Sequence, residues 1–504
     1  MSTNLAKSAL WLTFAEIVFN ISSYVIHSSI GRILTPADYG RFGLTITLTT
    51  MVIILIGRGI PTAMTKYLSE VFESKPEWVL PIKRKAAFLQ FILMSCVTVA
   101  FFFLAPIIAW SLGDPTLTPL FRLSALIIPA FALASFYVQY YTGLHQFNIQ
   151  SVLKVTRSLA RVSFIILLAY FFSVKGAVTG FVIAPLIVFF VALIIDIFWI
   201  SKKYPTQKGL VFDWKKLLSY AWQIVIFFLA YELFISIDLY LVKGLLGDDH
   251  LTGIYNGALT VGRIPYYLFY ALTIILLPVI SKTTSENDHE KTNEIVSNSL
   301  RLMIVLLVPI VILMSYFAKP IIELFYGVNY LDAAMPMSVL VYGVGFLTIF
   351  YVMCFVMNGA GKTKIPMKLS IIGLVLNIVL NYFFIKKFGI IGSAWAITIS
   401  SFIIMLLMIF YLNREFKLVM KVKDLAKIIL AGIAIYFISG FFPQSQWLFI
   451  LWGAILFVIY LIILLIFGEV KKEDWEFLKR MVSKKNKTPV VEQSSLRGKK
   501  AQNE

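Results

Sequence analysis

The sequence predicts an all-α polytopic membrane protein: about fourteen transmembrane helices, two six-helix lobes related by a pseudo-twofold along the membrane normal, and two extra helices. Three observations lead there. Of 504 residues, 59% are hydrophobic and only 14% charged, whereas a soluble chain sits nearer half apolar and a quarter charged. The apolar residues come in blocks of about 20, the length a helix needs to cross a hydrocarbon core. The chain also repeats itself at an offset of roughly 212–217 residues.

The spans begin near residues 9, 42, 86, 119, 157, 177, 217, 254, 301, 334, 368, 390, 425 and 447. The first, "ALWLTFAEIVFNISSYVIHSSI" (9–30), is too long for a signal-peptide core and has no small-residue cleavage site. The connections alternate in charge. One side carries Lys83, Arg84 and Lys85, then Lys154 and Arg157, then Lys202, Lys203, Lys208, Lys215 and Lys216. It continues with Lys282 and Lys291, with Lys362, Lys364 and Lys368, and with Arg414, Lys417, Lys421 and Lys423. The other side has only Arg32, Arg41, Lys175, Lys243, Lys319 and the pair Lys386–Lys387. The positive-inside rule then places both termini in the cytoplasm of a multi-pass cell-membrane protein. Topology thus accounts for the net charge of +19, and nucleic acid is not an expected partner.

The repeat sets the domain boundaries. "VKGAVTGF" (174–181) parallels "KFGIIGSAW" (387–395), and "DYGRFGLTITL" (38–48) parallels "GIYNGALTVGR" (253–263). Residues 1–205 form a first lobe and 206–416 a second; 417–468 supply two additional helices and 469–504 a basic cytoplasmic tail. An even number of spans per repeat keeps both lobes in one orientation, so the axis runs along the membrane normal. Cys96 and Cys354 both lie in apolar spans and read as buried small hydrophobes, with no disulfide or metal role.

"IGRILTPADYGRFGL" (30–44), "LFYGVNYLDAAMPMSVL" (324–340), "NGAGKTKIP" (358–366) and "LNIVLNYFFIKKFGIIGSAWAITIS" (376–400) resemble the polysaccharide-biosynthesis flippases. These belong to the multidrug/oligosaccharidyl-lipid/polysaccharide exporter superfamily, and the similarity runs from about residue 5 to 415. The resemblance implies a V-shaped pair of bundles around a central cavity. It also implies export of a polyprenyl-diphosphate-linked glycan to the outer leaflet by alternating access, with membrane lipid as surroundings and a coupling ion whose identity is open.

Arg58, in "LIGRGIPTA" (55–63), sits deep in an apolar span, where a guanidinium costs at least about 3 kcal/mol. "GRIP" (262–265) gives the second lobe a similar arginine, Arg263. An arginine fork suits phosphate oxygens, and a diphosphate headgroup between the lobes would meet both; the alternative is snorkelling or pairing with an internal carboxylate. In the first span Glu16, Asn20, Ser23 and His27 fall within roughly 60° of one another around the helix. Such a stripe reads as cavity lining, or as helix–helix hydrogen bonding. Glu16 is a partner for arginine or a site for a coupling cation, and Glu232 repeats it in the second lobe.

Lys154, Arg157 and Arg161 lie near one face at the start of the fifth span, and Lys364 and Lys368 answer from the second lobe. They form a vestibule that could gather an anionic headgroup, or else anchor topology. Asn377 and Asn381, one turn apart, suit interhelical packing. "NGAGKT" lacks the first glycine of a phosphate loop and leaves a membrane helix rather than a strand, so no nucleotide cofactor is expected. Transport would draw on an ion gradient, the membrane potential or the substrate's own gradient. Two rivals are weighed. A cation exporter of the same superfamily would favour acidic cavity walls. A membrane glycan polymerase or transferase would need a large external loop or a paired carboxylate site, and the sequence has neither, so no enzyme is expected.

Overall fold

The computed structural model describes residues 2–57, 59–205, 210, 212–285, 289–416, 422–445 and 447–469. The first lobe comprises α1 (Ser2–Ile33), α2 (Pro36–Gly57), α3 (Ile60–Val71), α4 (Val79–Ser111), α5 (Thr118–Ser124), α6 (Ile127–Gly143) and α7 (Phe147–Ile195). The second comprises α8 (Trp214–Leu246), α9 (Asp249–Gly262), α10 (Ile264–Ser285), α11 (His289–Tyr316), α12 (Ala318–Tyr326), α13 (Ala334–Gly359) and α14 (Lys364–Phe416). Then follow α15 (Val422–Ser439) and α16 (Leu448–Ile466). Seven helical stretches among the described residues are long and apolar enough to cross a membrane. Helices suit that solvent because they satisfy every backbone group internally.

The two lobes are built alike, and the packing repeats in step. As α1 lies on α7, α8 lies on α14; as α3 lies on α6, α10 lies on α13; as α6 lies on α7, α13 lies on α14. Left-handed backbone recurs at matching points: Gly113 with Gly327, His145 with Gly361, and Ser173 with Gly389. The last pair folds a long helix back on itself. Ser173 (φ 53°, ψ −138°) and Gly389 (φ 60°, ψ −142°) each interrupt one helical stretch. Past each kink the returning arm packs on the outgoing one: Gly180 lies against Ile165, and Gly392 against the carbonyl of Phe384. Thus α7 and α14 are each a hairpin of two antiparallel arms.

The seam between the lobes is a parallel helix pair. Gly40 of α2 lies against Asp249 and Gly253 of α9, Gly253 lies against Pro36, and Gly43 lies against Asn256. Stepping along both helices in the same direction preserves contact, so the pair is parallel. The contacts of residue 40 with 249 and of 36 with 253 exchange under a common shift, the mark of a twofold. Its axis runs along the two helices. Glycine is needed here because a side-chain carbon on Gly253 would overlap the Pro36 carbonyl, and small residues let membrane helices approach this closely.

We call the end bearing the start of α1 proximal and the end bearing the α1–α2 turn distal. At the distal end Arg41 Nε donates to Asp249 Oδ2 at 2.7 Å, while Lys243 donates to Asp114 Oδ2 at 3.0 Å and also to Asp249. Ser28 Oγ donates to the Phe325 carbonyl at 2.6 Å, and Arg32 Nε to the same oxygen at 3.2 Å. Each of these, except Lys243 to Asp249, joins one lobe to the other. At the proximal end Phe212 lies on Tyr67, with ring centroids 5.3 Å apart.

Outside the repeat, α15 and α16 pack on α11, with Ile428, Ala431, Ile435, Tyr460 and Leu464 gathered around Val305. Arg301 of α11 clasps Glu469 just past α16, its Nε 2.9 Å from Oε1. Cys354 is buried as expected, but Cys96 is exposed on α4; its helix turns that face outward, where a bilayer would cover it.

Candidate functional site

The site forms where α1 meets the first arm of α7, and it reaches across to α10. Arg157 and Arg161 stand one turn apart on α7, hence on one face. Phe19 of α1 lies beneath both guanidiniums, at 5.4 Å from Arg157 and 4.7 Å from Arg161. Phe131 adds a second ring at 4.7 Å from Arg157, and Phe181 one at 5.5 Å from Arg161. Stacking on an aromatic face attracts a cation without consuming its in-plane donors. Arg161 Nη1 donates to Ser23 Oγ at 3.3 Å. The Nε–H groups of both arginines are buried and have no hydrogen-bond partner among the described residues.

One turn toward the proximal end, Lys154 Nζ donates to Glu16 Oε2 at 2.6 Å. The partner of Glu16 is therefore a lysine of the same lobe. Three cations face one carboxylate, and the patch keeps a positive excess. The α1 stripe thus turns toward α7 at Glu16 and Ser23, with Asn20 half-buried between them. At His27 it meets the other lobe. His27 Nδ1 lies 2.9 Å from the Tyr39 hydroxyl, which lies 3.1 Å from the hydroxyl of Tyr326 on α12.

Across the seam, Arg263 closes α9 and donates through Nη2 to the Ile235 carbonyl of α8. That bond ties the guanidinium to its own lobe but uses one donor of five. His27 lies within electrostatic reach of both Arg161 and Arg263, and Tyr267 within reach of Arg263, Glu232 and Arg161. The structure so brings together Arg161, His27, Arg263 and Glu232 from opposite lobes. Lys364 and Lys368 are exposed at the proximal start of α14, apart from this group. Arg58 lies outside the described residues.

Sequence reasoning gave little weight to a second polar group. Within the second lobe, Tyr255 donates to Asp238 Oδ2 at 2.9 Å, and Ser393 Oγ lies 3.0 Å from the Tyr255 hydroxyl. Ser393 also donates to Asn381 Oδ1 at 2.6 Å, and Asn377 Nδ2 to the Phe234 carbonyl at 3.1 Å. All five side chains are buried. Asn377 takes the position on α14 that Arg161 takes on α7, counting from the matched kinks. One lobe thus places a cation where the other places a neutral amide, and Asp238 of that amide's network lies within electrostatic reach of Arg263.

Known proteins agree with this architecture. The profile of the family described as "Polysaccharide biosynthesis protein" matches residues 5–284, and the MatE profile matches residues 218–383. An uncharacterised membrane protein of Methanocaldococcus jannaschii is 24% identical over 443 residues, covering 85% of this chain and 87% of that protein. Lipid II flippase MurJ of Bacillus subtilis is 25% identical over 512 residues, covering 88% and 91%. Among solved structures, lipid II flippase MurJ in an inward closed conformation superposes with a TM-score of 0.72 at 19% identity, covering 92% of this chain and 98% of that one.

Proposed function

Because this chain belongs to the polysaccharide biosynthesis protein family, we propose that it is a flippase for a polyprenyl-diphosphate-linked oligosaccharide. It would carry its cargo from the cytoplasmic to the outer leaflet by alternating access, for cell-surface polysaccharide assembly. One observation carries the reading. Two ring-stacked arginines, Arg157 and Arg161, hold buried N–H groups without a partner among the described residues. Unmet guanidinium donors in a low-dielectric site call for anionic oxygens, and a diphosphate offers them in a geometry that suits a planar fork.

The proximal end faces the cytoplasm in this reading, with both termini there. Lys364 and Lys368, exposed at that end, draw in the anionic headgroup, and Lys154 exchanges Glu16 for phosphate. Arg157 and Arg161 then seat the diphosphate while the distal seam is closed. Arg263 meets it from the second lobe with the donors that Ile235 leaves free. The positive excess of the site favours an anionic cargo over a cationic drug. The distant relative that bears the name lipid II flippase supports the same substrate class.

The test is delivery of lipid-linked glycan to the outer leaflet in cells making equal amounts of each variant. Arg161→Gln and Arg157→Gln should each cut delivery by about tenfold or more, the scale of one lost charge-assisted bond. Arg161→Lys, which keeps the charge and loses the fork, should fall between. Full delivery by the double glutamine variant would overturn the assignment.

A further inference from the structure

A ring of one lobe stands against a ring of the other beside this arginine pair. Tyr24 of α1 and Tyr267 of α10 meet edge to face, with centroids 6.2 Å apart and planes at 84°. Tyr24 also meets Phe325 at 6.2 Å. Behind Tyr267, α10 presents Tyr266 and Tyr270 to Tyr351 at 5.0 and 6.1 Å, so a wall of tyrosines holds the helix in place. Tyr267 itself meets Tyr266 of that wall edge to face at 5.3 Å and is 42% exposed. The Tyr24 hydroxyl is buried without a hydrogen-bond partner among the described residues.

The surroundings decide what such a ring can hold. Arg161 and Arg263 both lie within electrostatic reach of Tyr267, and so does Glu232. A polyprenyl chain laid here would strip water from those charges without replacing it. A diphosphate has no flat apolar face to offer a ring. A pyranose has both parts: a face of C–H groups for the ring, and a rim of hydroxyls for the Tyr24 hydroxyl, Glu232 and Asn20. The sugar joined directly to a diphosphate is also the one group that must lie beside whatever holds the diphosphate.

We propose that Tyr24 and Tyr267 form an inter-lobe aromatic subsite for the saccharide attached to the diphosphate, next to the Arg157–Arg161 anion site. The proposal rests on the flippase reading and adds a place where the carrier distinguishes a glycosylated lipid from the bare lipid diphosphate. Because one ring comes from each lobe, the subsite is complete only while the lobes meet at this level.

The full chain in lipid nanodiscs is titrated with two probes, farnesyl diphosphate and N-acetylglucosaminyl-diphosphofarnesol, with farnesol as the neutral control. The sugar-bearing probe should bind wild type about tenfold tighter than farnesyl diphosphate, the scale of one good ring stack. Tyr267→Leu and Tyr24→Leu should erase that preference while leaving farnesyl diphosphate affinity as in wild type. Tyr267→Phe should keep it, and Arg161→Gln should weaken both probes alike. Equal binding of the two probes by wild type, or a preference that survives Tyr267→Leu, overturns the subsite and leaves the flippase reading standing. Loss of both probes in Tyr267→Leu would make the ring a packing element and also overturns the subsite. Wild type that binds neither probe more tightly than farnesol overturns both readings.

Discussion

The hydroxyl oxygens of Tyr39 and Tyr326 stand 3.1 Å apart and link α2 of one lobe to α12 of the other. The Tyr39 hydroxyl also lies 2.9 Å from His27 Nδ1 and 3.5 Å from Thr260 Oγ1. A neutral hydrogen bond of this kind contributes about 1 kcal/mol net. Phenylalanine at either tyrosine should therefore shift the distal seam toward open by about fivefold. Spin labels at positions 38 and 329, measured by electron–electron double resonance, would show the longer-distance population rise.

Lys243 is buried between Asp114 and Asp249. Lys243→Met leaves two carboxylates facing each other without their shared cation, a loss on the order of 3–5 kcal/mol for a buried pair broken on one side. The same labels should report a seam that is mostly open, and Asp114→Asn combined with Lys243→Met should recover part of the closure.

The seam should also weaken in acid. Burial alone would raise the Asp114 carboxyl, but hydrogen bonds from Thr116 and Lys243 more than offset it and hold the group below its ordinary 3.8. A depressed folded-state value means that this contribution is complete above about pH 4 and is lost as pH falls through the lower value. Distal distances should be steady from pH 7 to about 5 and lengthen below about 4, and Asp114→Asn should flatten that acid limb.

The second lobe depends on its closed polar network. Asn381→Ala removes the acceptor of Ser393 and the donor to Asn377, leaving buried polar groups unmet at about 1–3 kcal/mol. Thermal unfolding in detergent should begin at lower temperature. Asn377→Ala, which removes the extra donor to the Phe234 carbonyl and the acceptor of Asn381, should behave likewise.

The two hairpin kinks should respond in opposite senses. Ser173 adopts a backbone that only glycine reaches freely, at a cost on the order of 1–3 kcal/mol. Ser173→Gly should raise the unfolding temperature, and Gly389→Ser should lower it by introducing the same strain.

Much of the architecture was legible because a bilayer imposes it. Apolar block length marks helices, and the repeat showed in stretches such as "VKGAVTGF" and "KFGIIGSAW", whose counterparts pack in step. Arg157 and Arg161 were visible as one face of a helix. Their shared ring was not, because Phe19 carries no sign of its partner on α7. Glu16, legible as a partner for arginine or a site for a coupling cation, bonds to Lys154 and lies within electrostatic reach of Arg157; helix packing rather than residue type makes the hydrogen-bonded partner a lysine. Tyr39 and Tyr326 passed as apolar bulk, since a tyrosine hydroxyl leaves no trace in a hydropathy pattern. Tyr24 and Tyr267 escaped for the same reason. The reversals at residues 173 and 389, by contrast, were legible, since separate spans begin near 157 and 177 and near 368 and 390, with Lys175 and the pair Lys386–Lys387 at the turns.

The clasp between Arg301 and Glu469 fixes which lobe the last helix pair belongs to. Because α15 and α16 rest on α11, any rotation of one lobe against the other carries them along with the second. They are freight for that half of the machine. A fluorophore placed just beyond α16 would therefore trace the second lobe's arc, and a matching dye at the start of α1 would trace the first. The turning of the protein would then be readable from its two ends, with no probe inside the site.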